Sequence, residues 1–566
     1  MNVSKISGFN FQPVPFRGQI SRDKPAFRGA PAVDTINLSP RFENILSLAE
    51  AEKAAIQLKL ATSGYRDSTG RTFDDKLVNT MTAAVATYGK EHGQKAFMVG
   101  GDTRWASKIY GPMIADRLAD QGFDVYIPQL KDTKSNKISD IPSPLLALAT
   151  KAYKVPLSIL LTASHNPWED GGYCFLADGG CIATEVITTP IADNLVEVAK
   201  KGSFDAPAAK RGKLIPFDPY GLYKQFIDMK KFIDFEKIKE AQIDTYYEGL
   251  GGTGSNYFPQ LMIDNGVPLG GVLDTITSRP EPEQKTLKNL AAKVTGSTAK
   301  LKIGLATDGD ADRFGIVDEN GKYISSDDVI TLAAYHNIKN KGMTKGTIIK
   351  NHATTEQIEK LADYFNAKGM DIDVATTPIG FKFLGKKMLE LENTDKPAII
   401  TGEASGGFTV RDHVPSKDGF VAILTILELV AFENRPISEI LKTVKDEIGA
   451  DYKTKCTNMA FPDDSAKDAT ENALRAYLDS TENTLAGYEI DFEKTHAIDK
   501  SMREQKEGGD GVKICLKNGS SAIVRKSGTE PVVRLIVDAT DEETFIKLKK
   551  FLNELAESRG GKEVEL

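Results

Sequence analysis

Four short polar stretches of this chain carry residue types that could do chemistry together. Leu161-Thr162-Ala163-Ser164-His165-Asn166-Pro167 puts a serine hydroxyl at the exit of an apolar, strand-like run, Val155 to Leu160. The Asn-Pro pair disfavours helix and marks a turn. A serine so placed can face a cleft as a nucleophile or phosphate carrier, though taken singly such a serine more often satisfies local backbone hydrogen bonds. Thr307-Asp308-Gly309-Asp310-Ala311-Asp312-Arg313 follows another apolar strand with three carboxylates at alternate positions. Carboxylates this close repel one another unless a cation sits among them, and an all-oxygen set suits Mg²⁺ or Ca²⁺. An EF-hand does not fit, because Arg313 stands where its glycine belongs and the flanks read as strands. Gly402-Glu403-Ala404-Ser405-Gly406-Gly407 either accepts bonds from sugar hydroxyls or is a plain turn. Val524-Arg525-Lys526-Ser527-Gly528-Thr529-Glu530-Pro531-Val532-Val533-Arg534 combines two arginines, two hydroxyls and a glycine, a suitable nest for a phosphate dianion.

Positioning these loops requires several cores. At 566 residues the chain is too long for one. Strands alternate with helices over most of it: Ala96 to Gly101 runs through Asp102-Thr103-Arg104 into a helix, and Phe123 to Ile127 is the next strand. That alternation implies βαβ units and largely parallel sheets, with sites at the carboxyl ends of strands. Phe42 to Leu60 reads as an amphipathic helix through Ile45, Leu46, Leu48, Ala51 and Ile56, and leads to a turn presenting Arg66. Val421 to Phe432 reads as a buried helix despite Glu428, too short to span a membrane. The last helix reads as capped by Thr540 and Glu543. Gly249-Leu250-Gly251-Gly252-Thr253-Gly254 with Asp274 matches a dinucleotide fingerprint, but the pattern is weak by itself and a tight turn that lets a helix N-terminus pack on a strand is the favoured reading.

Composition bounds the function classes. A 40% hydrophobic and 27% charged content is that of a soluble globular protein, and a net charge of −7 argues against general nucleic-acid binding. Cys174, Cys181, Cys456 and Cys515 lack zinc spacing, so free thiols in a reducing, cytoplasmic setting are expected. Residues 1–41 lack periodicity and an apolar signal core, repeat Phe-Arg-Gly, and read as a flexible tail. The remainder divides into blocks 42–213, 214–322, 323–448 and 449–566, the last opened by a linker near Gly449 to Lys455.

A hydroxyl nucleophile, a carboxylate metal loop, a hydroxyl reader and a phosphate nest compose a phosphoryl-transfer site for a phosphorylated sugar. TASHNP, DGDADR, GEASGG and RKSGTEP, in this order from about Thr62 to the end, resemble the α-D-phosphohexomutases, which include phosphoglucomutase and phosphomannomutase. The resemblance implies an α/β fold of three mixed-sheet domains plus a smaller C-terminal α+β domain around one cleft. It implies a hexose 1-phosphate to 6-phosphate mutase, glucose favoured and mannose next, acting as monomer or dimer with no nucleic-acid or membrane partner. Ser164 would be the phosphoserine, with Asp308, Asp310 and Asp312 holding Mg²⁺ beside it and glucose 1,6-bisphosphate as activator and intermediate. Arg313 would steady the phosphoryl group. His165, Arg66 and Lys382 complete the catalytic set. Thr377, Gly380, Glu403, Ser405 and Lys417 would contact the sugar, and Arg525, Ser527, Gly528, Thr529 and Arg534 the non-reacting phosphate.

Three positions depart from the family pattern. Arg66 matches the arginine of the family's TSGxRG loop, but Asp67 replaces its usual glycine. Many bacterial members follow TASHNP with NG-x-K, and Cys174 occupies the place of that lysine. A neutral thiol cannot substitute for a cation, which leaves His165, Lys382 or Lys417 to compensate, the two lysines preferred. Gly407 stands where GExSGH members carry histidine, which sets phosphoglucosamine mutase behind the glucose and mannose readings. A catalytically silent phosphosugar-binding homologue is the alternative from another class.

Overall fold

The computed structural model describes residues 44–60, 64–129, 139–505, 511–527 and 532–564. The expected tail and the calls on Gly528 and Thr529 lie outside the described residues. Among the described residues four sheets of four to six strands follow one another along the chain, and the last block adds a two-stranded ribbon of Thr484–Leu485 and Tyr488–Glu489. In the first, Leu157–Leu161, Ala96–Gly101, Asp124–Pro128 and Leu214–Phe217 run parallel, while Asp170–Ala177 and Gly64–Ser68 add antiparallel at one side. The second joins Gly271–Leu273, Asp244–Glu248 and Lys302–Thr307 in parallel, then Phe314–Val317 and Tyr323–Ile324 antiparallel. The third sets Asp371–Thr377, Lys345–Asn351 and Ala398–Glu403 parallel, with Gly407–Val410 antiparallel. The fourth is antiparallel throughout, built on Val512–Cys515, Ser521–Lys526, Val532–Ala539 and Lys453–Ala460.

The parallel strands are apolar on both faces because helices cover both: Leu157, Ile159, Ile303, Leu305, Ile399 and Ile400 have no measurable exposure. Each of the four polar loops then falls at the same kind of place. It connects a strand to its antiparallel neighbour: 162–169, 308–313, 404–406 and 527–531. A hairpin connection is short and pinned at both ends by ladder hydrogen bonds. That is why the chemistry-bearing residues cluster in or beside these short connections rather than along helices.

Several boundaries move from the sequence reading. Leu214–Phe217 pairs with Asp124–Pro128 and so belongs to the first sheet, and Tyr323–Ile324 belongs to the second. The expected linker ends early, because Lys453–Ala460 is a strand of the fourth sheet. The first helix is Leu48–Leu60 and buries Ala51, Ala54, Ala55 and Leu58, leaving Leu48 and Ile56 outward. Small residues set its buried face, which a search for large apolar side chains overlooks. The last helix, Glu542–Glu557, is capped by Asp541, whose carboxylate accepts from the Thr544 N–H at 2.8 Å, not by Thr540.

The helix Gly419–Glu433 is buried along nearly its whole length and lies against the metal loop. The Asp418 carboxylate caps it, accepting from the Phe420 and Val421 N–H groups at 2.8 and 3.1 Å. The Gly419 N–H donates to the Ala311 carbonyl at 3.1 Å. A Cβ on Gly419 would meet the Arg313 carbonyl oxygen at 2.4 Å, so only glycine permits this approach. Glu428, the one charge inside, is paired with His336 and Lys341, each at 2.9 Å. Among the described residues no helix is long and apolar enough to cross a membrane.

Candidate active site

Ser164 is fully buried and sits at φ +51°, in the left-handed region that a non-glycine residue enters only when its surroundings hold it there. The hold is visible. The Ser164 N–H donates to the Thr162 hydroxyl at 2.8 Å, and that hydroxyl donates to Asp102 at 2.7 Å. Arg104, 2% exposed, donates to the carbonyls of Ser164 (2.6 Å), Asn166 (2.7 Å), Asp170 (3.1 Å) and Pro167, and pairs with Asp102 at 3.0 Å. The same buried pair thus fixes both ends of the serine loop. Neither Asp102 nor Arg104 was singled out from sequence, although an Asp-x-Arg turn directly after a buried glycine-ending strand was the available signal.

The Ser164 hydroxyl donates to Asp308 Oδ2 at 3.0 Å, joining the first and second sheets at one point. Asp308, Asp310 and Asp312 are buried and offer one carboxylate oxygen each within 4.8 Å of one another. Burial, then the Asp310 and Asp312 charges, push the Asp308 carboxyl well above its ordinary range. Asp312 is raised in the same way. Oδ1 of Asp310 and Oδ1 of Asp312 are buried with no hydrogen-bond partner. Three clustered carboxylates with bare inward oxygens, next to a serine hydroxyl, fit a hard divalent cation such as Mg²⁺. The remaining oxygens are occupied: Ser143 donates to Asp310 at 2.7 Å, the Asp312 and Arg313 N–H groups to Asp308 at 2.9 and 3.0 Å, and Lys417 pairs with Asp312 at 2.6 Å.

Cations surround His165, the residue after the serine. Burial, followed by the charges of Arg313, Arg66, Arg279 and Lys417, holds the His165 imidazole well below its ordinary pKa, so it is neutral at pH 7. Its Nδ1 lies 3.4 Å from Ser164 Oγ. Arg66 Nη1 reaches the Ala163 carbonyl at 3.5 Å. Arg313 pairs with Glu281 at 3.2 Å. Of the two lysines preferred as replacements for the family lysine, Lys417 reaches Asp312, whereas Lys382 is engaged 2.5 Å from Glu185. Cys174 is 5% exposed and its thiol faces the Thr162 carbonyl at 3.5 Å, beneath the serine loop.

Glu403 accepts from Ser405 Oγ at 2.7 Å and from Asn351 at 2.9 Å, so its carboxylate is fixed by two neutral donors. Thr377 ends its strand with its hydroxyl on the Pro378 carbonyl at 3.0 Å, and Gly380, at φ +129°, starts the helix that carries Lys382. A side chain at Gly407 would meet the Lys417 stem at 2.7 Å and the Phe381 ring at 2.9 Å. In the fourth domain Arg525 and Arg534 lie directly opposite each other on neighbouring strands, and Ser527 N–H donates to the Val532 carbonyl at 2.9 Å to close the loop between them.

The glycine-rich run at 249–254 serves the metal loop. The Thr253 N–H donates to the Gly309 carbonyl at 3.0 Å, and a Cβ on Gly252 would meet the Gly309 and Asp308 carbonyl oxygens at 2.7 and 2.8 Å. Asp274 is spent on the Gly251 N–H and the Ser255 hydroxyl, at 2.7 and 2.6 Å. These contacts belong to a tight turn, not a dinucleotide cradle.

Such a site, a buried serine hydroxyl between a carboxylate cluster and several guanidinium groups, defines a class of phosphoryl-transfer protein. Comparison with known proteins matches the chain to phosphoglucomutase/phosphomannomutase alpha/beta/alpha domain I over residues 57–201, domain II over 224–321, domain III over 325–447 and the C-terminal domain over 489–555. The chain belongs to the phosphoglucomutase/phosphomannomutase family of the phosphohexomutase superfamily. Its relatives include a phosphoglucosamine mutase of Thermodesulfovibrio yellowstonii, 24% identical over 81% of this chain and 88% of that protein. A phosphoglucomutase/phosphomannomutase of Thermococcus kodakarensis is 26% identical over 85% and 94%. The crystal structure of a phosphoglucomutase/phosphomannomutase family protein from Burkholderia thailandensis superposes with a TM-score of 0.68 at 19% identity, covering 90% of this chain and 99% of that one.

Proposed function

We propose that this chain interconverts hexose 1-phosphate and hexose 6-phosphate through a phosphorylated Ser164 and a hexose 1,6-bisphosphate, with glucose phosphate as the favoured substrate. The observation that carries the reading is the 3.0 Å hydrogen bond from the strained, buried Ser164 to Asp308 of the carboxylate cluster. Asp308, Asp310 and Asp312 would hold Mg²⁺ together with the Ser164 oxygen. Bound there, the ion neutralises charge on the transferring phosphoryl group.

The chain's own groups divide the remaining work. In the first half-reaction the bond from phosphorus to Ser164 Oγ breaks, a bond to a sugar hydroxyl oxygen forms, and the hydroxyl proton passes to a base. His165, with Nδ1 3.4 Å from Ser164 Oγ, is the imidazole placed to take that proton. In the second half-reaction the other phosphoryl group returns to Ser164 and the proton goes back. Arg313 and Arg66 complement the phosphoryl charge. Glu403, fixed by Asn351 and Ser405, accepts from sugar hydroxyls, with Thr377, Gly380 and Lys417 lining the same side. Arg525 and Arg534, with Ser527 and the loop that follows it, bind the phosphate that does not react.

Gly407 favours glucose or mannose phosphate over the glucosamine phosphate of relatives such as the Thermodesulfovibrio enzyme. The space a side chain would need there is taken by Lys417 and Phe381. The deciding experiment is a coupled assay with Mg²⁺ and catalytic glucose 1,6-bisphosphate. Glucose 1-phosphate, mannose 1-phosphate and glucosamine 1-phosphate are compared, with Ser164→Ala as control. Turnover lost in the variant supports the mutase. A wild type that binds hexose phosphates yet turns over none and accepts no phosphoryl group on Ser164 refutes it in favour of a silent binding protein.

A further inference from the structure

The loop Thr277 to Glu283 was absorbed by none of the motifs, yet it lies against the centre of the site. Pro280 packs on Gly309: a Cβ there would meet Pro280 Cγ at 2.9 Å and the Ser164 carbonyl oxygen at 2.9 Å. The next residue back, Arg279, donates through Nε to the His165 carbonyl at 3.4 Å. The next residue forward, Glu281, lies 3.9 Å from Arg279 and 3.2 Å from Arg313. One carboxylate therefore bridges two guanidinium groups on the serine face. The Arg279 side chain is only 12% exposed, where its charge is weakly screened.

The charge balance gives this arrangement a purpose. Cys174 brings no cation beneath the serine loop. Lys382 is taken by Glu185, and Lys417 lies against Asp312. Resting on the phosphoserine reading above, we propose that Arg279 is a second guanidinium, beside Arg313, that contacts the phosphoryl group on Ser164. It replaces the positive charge that NG-x-K relatives carry on lysine, and Glu281 positions the pair. Arginine suits this role because a guanidinium carries five N–H donors in a planar fork that matches phosphate oxygens. Its NH groups cannot shuttle protons at neutral pH, so the substitution supplies charge and leaves proton transfer to His165.

Two measurements test this on the full chain with Mg²⁺. The first needs no turnover: a double-mutant cycle between Ser164→Glu, which places a fixed anion at the serine, and Arg279→Gln, read by thermal unfolding. The expected result is that Arg279→Gln lowers Tm at least about twice as much on the Ser164→Glu background as on wild type. Equal losses overturn the proposal. The second follows phosphorylation of Ser164 by glucose 1,6-bisphosphate in a single turnover, by intact mass. Arg279→Gln should slow it roughly 10²-fold, the scale of losing one preorganised donor, with Arg279→Lys recovering much of the rate and substrate KM little moved. An unchanged rate in Arg279→Gln overturns the proposal. A wild type that accepts no phosphoryl group at all instead refutes the mutase reading, and the stability cycle then decides the question of Arg279 alone.

Discussion

Replacing Arg104 with lysine tests whether the buried ion pair beneath the serine loop sets the geometry of Ser164. The guanidinium serves five acceptors: Asp102 and the carbonyls of Ser164, Asn166, Pro167 and Asp170. An ammonium has three donors on one nitrogen, so at least two of the five acceptors lose their partner. A buried acceptor left bare costs about 1–3 kcal/mol; since the contacts to Asn166, Pro167 and Asp170 are part-buried, two losses cost at most about 2–6 kcal/mol. The left-handed backbone of Ser164 stores roughly 1–3 kcal/mol that the loop must resist. The hold and the strain are therefore of similar size, and Arg104→Lys tips the balance towards a relaxed loop in which the hydroxyl leaves Asp308. The expected result is a fall of about 10- to 10²-fold in the single-turnover rate of Ser164 phosphorylation, since each 1.4 kcal/mol is a decade. Tm should fall as well, with KM for hexose phosphate little changed. A variant with lowered Tm but a full transfer rate refutes the reasoning, because the ion pair would then support the domain without setting the serine.

Two further expectations concern the junction of the third and fourth domains. Although burial alone would raise it, Lys350, Lys513 and Lys494 hold the Glu356 carboxyl well below its ordinary range, with Lys513 at 2.6 Å and Lys494 at 2.7 Å. Glu356→Gln strips the buried Lys513 of its counter-ion, a change that costs about 3–5 kcal/mol in buried pairs; calorimetry should show the C-terminal domain melting earlier, and an unshifted transition counts against the network. Asp327 is pushed up to about 7 by burial and by the nearby Asp538. From roughly pH 4, the ordinary aspartate value, to pH 7 the folded chain keeps a proton that the unfolded chain has released, so stability falls as pH rises through that window and levels above it. Asp327→Asn should thus be more stable than wild type at pH 8, with the advantage shrinking towards pH 5. A constant difference across that range would exclude titration of Asp327 as its source.

The parts of the site that were legible in the sequence are those whose chemistry is local. Ser164 before Asn-Pro and the three alternating aspartates each lie within one hairpin connection, and Glu403 ends the strand that enters another, so residue type and spacing carry the message. The supports are remote in sequence. Arg104 lies about sixty residues from the carbonyls it holds, and Ser143 is 167 residues from Asp310. No periodicity reports such a contact. The same applies to Lys382: a lysine in the first turn of a helix beside a predicted site is a fair candidate for compensation, and only the packing of Glu185 against it shows where its charge goes. The misplaced edges have the opposite cause. Leu214–Phe217 and Tyr323–Ile324 are short edge strands whose sheet is decided by hydrogen-bond partners, not by composition.

Cys174 shows how local substitution and distant compensation can be linked physically. Residue 174 pairs across the ladder with Gly64, where a Cβ would meet the Cys174 Cα at 2.7 Å, and its thiol faces the Thr162 carbonyl. The position is sealed between a strand and the serine loop. An ammonium held there would have to be desolvated unless it reached the phosphoryl group directly. A small thiol fills the space at no electrostatic cost, and relative to the NG-x-K pattern it brings one positive charge fewer to the serine face. A guanidinium reaching the same phosphoryl group from another domain can supply that charge without restoring the original residue. Arg279 approaches from the second domain, in the loop that packs on Gly309. On the proposal that Arg279 contacts the phosphoryl group, the family's lysine and this arginine are two sides of one charge balance.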